Sequence, residues 1–262
     1  MGFLDKFRKK PVTTPGGSPI YRYDTPKDQG LRVPGECGVY AEEITAHFDK
    51  LFPGRKTNVF HELISDLVHI DVYIMSPTEE AGYYVLYTTG MSDLPMTLPD
   101  EIPDKDTWNR AELYLLLPGS WDFGKELGTD RDIPESSYWP IRILKFLARF
   151  PHEYETWLGW GHTMPNGPDY TPMGEDIGFG GVVLDALSAV PPLEAEDGTR
   201  VNFYLVIPAY QQEIEYKLKY GMEKLSERFA EKKLPLVLDI HRPNYCEEFT
   251  EILDAPEDTD PS

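Results

Sequence analysis

The sequence predicts an α+β domain: a mixed, largely antiparallel sheet flanked by helices, in a single domain. Three observations predict it. Apolar residues recur with strand and helix periods in interspersed segments, without a strict βαβ rhythm. Three strand-like segments follow one another in succession, the pattern of an antiparallel meander. Between Val39 and Asn244 there is no internal repeat and no linker.

The elements follow in order. Residues 11–36 carry Pro11, Pro15, Pro19, Pro26 and Pro34 with Gly16 and Gly17, so residues 1–36 are expected to be an extended Pro/Gly-rich leader. From Val39, Tyr40, Ile44, His47/Phe48 and Leu51 recur at helical spacing, Pro53-Gly54 stops the helix, and Glu42, Glu43 and Asp49 are expected to face water. In 69–75, Ile70, Val72 and Ile74 alternate with His69, Asp71 and Tyr73, the period of a strand. Residues 83–89 form the next strand, a loop runs from Gly90 to about Asn109, and 110–117 form a third strand ended by Pro118-Gly119. A helix is expected from Tyr138 to Phe150, with Pro140 in its first turn and Pro151 ending it. It is apolar on most sides and therefore buried.

A Gly- and Pro-rich loop then runs from Trp157 to Gly178, and 180–185 and 201–207 are two more strands. Pro208 is expected to start one long helix carrying Ile214, Leu218, Met222, Leu225 and Phe229, with Glu213–Lys217 and Glu215–Lys219 as ion pairs on its wet face. Residues 234–240 are read as a last, edge strand because of Pro235. The folded body is expected over 37–246, and 247–262 as a mobile acidic tail.

With 40% hydrophobic and 13% aromatic residues the chain has ample material for a core. Its charge is unusual: 45 acids against 25 bases give −20. The last sixteen residues hold seven acids and no base, and the first ten hold four bases and one acid. The body between them keeps 37 acids against 21 bases, a net −16. Such a surface repels nucleic acid and anionic lipid, whose binding relies on Lys and Arg. It attracts basic proteins, although the same charge also simply aids solubility. Cys37 and Cys246 do not make a disulfide framework, and there is no signal peptide or membrane span, so a cytoplasmic location is expected.

The standard catalytic signatures are mostly absent. There is no phosphate loop and no nucleophile elbow, and His61-Glu62 lacks the second histidine of a zinc-protease helix because position 65 is serine. No metal or cofactor is implied. Three constellations remain. His69 and Asp71 lie two apart on a strand, facing one side, where they either meet a ligand or hold each other. Ser92 and Asp93 offer a hydroxyl and a carboxylate just after a strand, or cap local N–H groups. Trp157, Trp160 and His162 are separated by glycines in a loop, either as an interface anchor or as core.

The same stretches carry a family likeness. His-x-Asp-Val-Tyr (69–73), Thr-Thr-Gly-Met-Ser-Asp-x-Pro-Met (88–96) and Arg-x-Glu-Leu (110–113) resemble the bacterial branch of the suppressor-of-fused domain family. So do Leu117-Pro118 with Trp121, the run Trp157 to Gly167, and Phe-Tyr-x-x-x-Pro-x-Tyr-x-x-Glu, which adds Tyr210 and Glu213 to the candidate binding residues. The resemblance covers about 55–230. It implies an α+β domain with a mixed sheet, and protein binding. The animal relative sequesters a transcription factor with two domains, of which this chain resembles the first. Bacterial relatives are associated with toxin systems as immunity proteins that neutralise a partner, often a nuclease. The expected function is therefore binding of a basic toxin domain. The alternatives are a protein-binding scaffold unrelated to toxins, and an enzyme using His69, Asp71 and His162.

Overall fold

Apolar alternation in the sequence becomes an eight-stranded sheet with helices packed on both faces. The computed structural model describes residues 12–17, 19–23, 35, 37–62, 65–124, 133–187 and 189–249. Most of the leader expected over 1–36, and the tail from residue 250 onward, lie outside the described residues. The elements are β1 (Val12–Thr13), β2 (Pro19–Ile20), α1 (Ala41–Leu51), β3 (Thr57–Phe60), β4 (Asp71–Met75), β5 (Tyr83–Thr89), a 3-10 turn (Met91–Asp93) and α2 (Lys105–Trp108). They continue with β6 (Ala111–Pro118), α3 (Glu135–Glu153), β7 (Thr163–Pro165), β8 (Gly181–Asp185), β9 (Leu193–Glu194), β10 (Arg200–Ala209), α4 (Gln211–Tyr220) and α5 (Met222–Glu231).

The sheet order is β3-β4-β5-β6-β10-β8-β7, with β9 beside β10, and β1 pairs with β2 apart from it. The meander β4-β5-β6 is antiparallel as expected. One pairing is parallel, β6 with β10, where Asn202 stands opposite Ala111. The fold is thus the expected α+β domain with a mixed, largely antiparallel sheet.

Alternation along the strands sends side chains to two cores. Val72, Ile74, Leu113, Leu115, Leu117, Tyr204 and Val206 meet α3 through Trp139, Ile141, Leu144 and Leu147. Met75, Tyr87, Tyr114, Phe203, Leu205 and Ile207 meet α1 through Ile44 and Phe48, and α4 and α5 through Ile214, Leu225 and Phe229. With both faces covered, central strands need apolar residues at every position, and β6 is buried from Ala111 to Leu117. No helix among the described residues is long and apolar enough to cross a membrane.

Several expectations need correction. Pro208 lies in β10, opposite Val182, and does not start a helix. The expected long helix is two, broken at Gly221 (φ 91°, ψ 165°); its stripe reads through because Ile214, Met222, Leu225 and Phe229 all enter one core. Residues 234–240 make a single bridge, Val237 to Leu116, and no strand. The face of α4 read as wet is covered: Glu213, Glu215 and Lys217 are buried. Helix α3 starts earlier than expected, at Glu135, so Pro140 is past its first turn, and Pro151 sits inside its last turn. In α1, Glu43 is only partly exposed and accepts a hydrogen bond from the Glu196 N–H (2.9 Å).

Candidate functional site

The residues singled out from sequence gather at two ends of the sheet, with Tyr210 and Glu213 at a third place. The first locus lies where β4 begins and β5 ends. Asp71 opens β4 opposite Thr89, and the chain leaving β5 must turn at once into the 3-10 turn. Gly90 makes that turn with φ 99°, and a β-carbon there would lie 1.9 Å from the His69 carbonyl oxygen. This close approach brings Ser92 and Asp93 beside His69 and Asp71.

Glu112 forms the centre of this locus and is fully buried in β6. Its carboxylate accepts from Thr88 Oγ1 (2.6 Å), Ser92 Oγ (2.6 Å) and the Ser92 N–H (2.9 Å). Thr88 Oγ1 in turn accepts the Leu113 N–H (2.9 Å), which leaves its own proton for Glu112. Burial outweighs these three donors and pushes the Glu112 carboxyl up to about 7. Arg110 donates to the Ser92 carbonyl, and His152 Nε2–H donates to the Met91 carbonyl (2.8 Å). Burial holds His152 below the usual imidazole range, and therefore neutral near pH 7. Asp93 accepts the N–H groups of Gly38 (2.7 Å) and Val39 (2.9 Å), tying the segment before α1 to this turn. Burial raises its carboxyl, opposed by those bonds, by Arg110 and by His69.

Asp71, mostly buried, is flanked by two imidazoles. His61 Nδ1–H donates to its Oδ2 (2.9 Å), and His69 Nε2 lies 3.2 Å from its Oδ1. The Glu62 N–H also donates to Oδ1 (3.0 Å), and Ser65 Oγ lies 2.5 Å from His69 Nδ1. These ligand-type atoms of His61, His69 and Asp71 lie within 4.8 Å of one another, the arrangement of a cation site.

The second locus is the loop between α3 and β7. The Trp157 and His162 rings meet edge to face at 4.4 Å. Burial, and next the Lys217 cation, lower His162 to about 4, so it is neutral at ordinary pH. Burial also pulls Lys217 down to about 8. Trp160 points outward, 45% exposed, while its indole N–H donates to Asp185 Oδ1 (2.9 Å). Trp157 is thus partly buried and Trp160 is exposed. Gly161 (φ 75°) packs on the start of α5, where a β-carbon would come within 3.0 Å of Met222. Tyr220, 46% exposed at the end of α4, lies just before that contact, so two outward aromatics border one break between helices.

At the third place Glu213 reaches back to the Tyr210 N–H (3.0 Å) and pairs with Arg242 through both oxygens (2.6 and 2.7 Å). Tyr210 Oη donates to the Arg242 carbonyl (2.7 Å). This is a buried structural tie between α4 and the C-terminal segment.

His69 and Asp71 adjoin, whereas His162 does not join them. His69 precedes β4, and the His162 backbone bonds Leu184 of β8, four strands away, roughly 19 Å at ordinary strand spacing. The three-residue catalytic arrangement therefore does not form. Sequence reasoning missed Glu112, His61 and Arg242 as site or anchor residues. For Glu112 a signal was present, since a glutamate interrupting the apolar run Ala111–Leu117 must be paired or protonated.

The model of the suppressor of fused protein (SUFU) family matches residues 66–243. An uncharacterised protein of Ureaplasma parvum is 23% identical over 142 residues, 54% of this chain and 66% of its own length, just under two thirds. Among solved structures, a SUFU homologue from Neisseria gonorrhoeae superposes with TM-score 0.57 at 18% identity, over 79% of this chain and 96% of that one. A chain of the Sufu–Fu complex gives TM-score 0.55 at 14% identity over 82% and 95%. Drosophila Suppressor of Fused gives 0.51 at 14% over 79% of this chain and 51% of its own.

Proposed function

The chain belongs to the suppressor of fused family, and from that premise we propose that it works by gripping another protein, in the role of an immunity protein that neutralises a basic toxin domain. One observation carries the protein-binding reading: Trp160 offers an exposed indole whose orientation Asp185 fixes. An aromatic anchor held in place before contact loses little freedom on binding, and tryptophans of this kind dominate interface energies. A Sufu–Fu complex among the similar structures supports the same reading. The body's −16 supports a cationic partner, and nuclease domains tend to be basic.

The test is co-expression with the products of neighbouring reading frames, scored by rescue from toxicity and by isolation of a stoichiometric complex. Trp160→Ala should leave the melting temperature nearly unchanged, because the ring is outside the core, and should weaken the complex by roughly 30-fold, the effect of losing an anchor worth about 2 kcal/mol. A complex without rescue favours a scaffold unrelated to toxins. Absence of any complex removes the proposal, and an unaffected affinity in the Trp160 variant removes this face from it.

A further inference from the structure

We propose that His61, His69 and Asp71 form a binding site for a first-row divalent metal ion of the zinc class. The inference stands on the donor set and its support, and is independent of the partner-binding reading.

The donors are two imidazoles and one carboxylate, a combination that suits zinc and its neighbours and not the all-oxygen shells of magnesium or calcium. Their spacing fits. A tetrahedral ion with bonds near 2.0–2.1 Å keeps its ligand atoms about 3.3 Å apart. Here His61 Nδ1 and His69 Nε2 lie 2.9 and 3.2 Å from the two Asp71 oxygens, with all three ligand atoms inside 4.8 Å. A metal entering between them replaces the proton that His61 now shares with Asp71.

The surroundings hold His69 and Asp71 in place. Ser65 Oγ, 2.5 Å from His69 Nδ1, accepts the Nδ1 proton when Nε2 turns its lone pair to an ion, the usual support of a ligating histidine. The Glu62 N–H fixes Asp71 Oδ1. The Glu62 side chain accepts the Ile70 N–H (3.1 Å) and pairs with Arg149, so both ends of the β3–β4 connection are anchored to α3. On the open side, the His61 side chain is 67% exposed, which leaves the fourth coordination position to water. His61 precedes the residues matched by the family model, so the complete set is not a property of that match.

Titration calorimetry of the full chain with Zn²⁺, in excess Mg²⁺ to occupy the acidic surface, tests the site. One equivalent should bind. His61→Ala removes an exposed side chain, so the variant is expected to fold, and it should bind Zn²⁺ at least ~100-fold more weakly. Co²⁺ in the native chain should show the strong visible absorption of a four-coordinate ion, and His61→Ala should abolish it. No stoichiometric Zn²⁺ binding, or equal binding by the His61 variant, overturns the proposal.

Discussion

Glu112 carries an ionisable group with no exposed surface, and the protein's acid–base behaviour follows from that placement. Burial raises its carboxyl from 4.5 to about 7 despite three donors. Between those values the folded chain holds a proton that the unfolded chain has released, so stability falls as pH rises through the window, by on the order of 3 kcal/mol. His162 acts in the opposite direction. Its value drops from 6.5 to about 4, so the unfolded chain binds the extra proton and stability rises with pH over that range. The two effects overlap and mask one another in the native chain. Glu112→Gln keeps the shape, offers an amide oxygen to Thr88 and Ser92, and cannot titrate. Urea unfolding at pH 5 and pH 8 should show the native chain gaining on the variant at pH 5 by on the order of 3 kcal/mol relative to pH 8. Parallel pH profiles would show that Glu112 stays ionised throughout. The motif residues were legible at this scale; their environment was not, because Glu112 is buried by contacts with Thr88 and Ser92 on a neighbouring strand and turn, twenty or more residues away.

Helix α4 shows what separates a legible element from a misread one. Helix α1 and strands β4, β5 and β6 were readable to within a residue or two because each repeats its own apolar period and ends at a Gly or Pro signal. On α4, the charges at 213, 215, 217 and 219 also repeat, and look like a wet face with i,i+4 pairs. The segment 234–249 folds back over Glu213 and Lys219, bringing Arg242 to Glu213 from 29 residues away, while His162 and Tyr170 of the loop after α3 lie beside Lys217 and Glu215. No local pattern announces that cover. The short strands β3, β7 and β9 escaped for a different reason: two to four residues are too few to show a period. The Glu213–Arg242 pair is 0% and 3% exposed at the side chains, with Arg242 also donating to the Pro208 carbonyl (2.9 Å) and Glu213 accepting the Tyr245 N–H (3.1 Å). Removing one partner leaves a buried charge uncompensated, at about 3–5 kcal/mol. Arg242→Met should therefore destabilise the protein by that amount in chemical denaturation. Adding Glu213→Gln should recover a large part of the loss, because the stranded charge is then gone. Additive single effects would show that the pair is not coupled.

At the scale of the molecule, electrostatics and topology act on different quantities. Four described acids, Asp71, Glu112, Glu213 and Glu215, are buried with two bases, Lys217 and Arg242, so burial changes the body's surface excess by only two charges. On the proposed reading, the field that a partner would meet is mainly that of residues 11–246, which hold −16 of the −20. On that reading, contacts at Trp160 would govern how long a complex lasts, whereas the field would govern how fast it forms. Glu42 and Asp49 on α1 are exposed and, among the described residues, make no hydrogen bond that holds the fold, unlike Glu43, which is tied to Glu196. Reversing both, Glu42→Lys with Asp49→Lys, should lower the association rate of a basic partner by roughly 3- to 10-fold at low ionic strength and leave dissociation nearly unchanged. The difference should shrink as salt shortens the screening length to about 8 Å near 0.15 M. Stopped-flow association across a salt series measures both trends. A change confined to dissociation would mean that α1 itself touches the partner, and that the acidic body steers nothing.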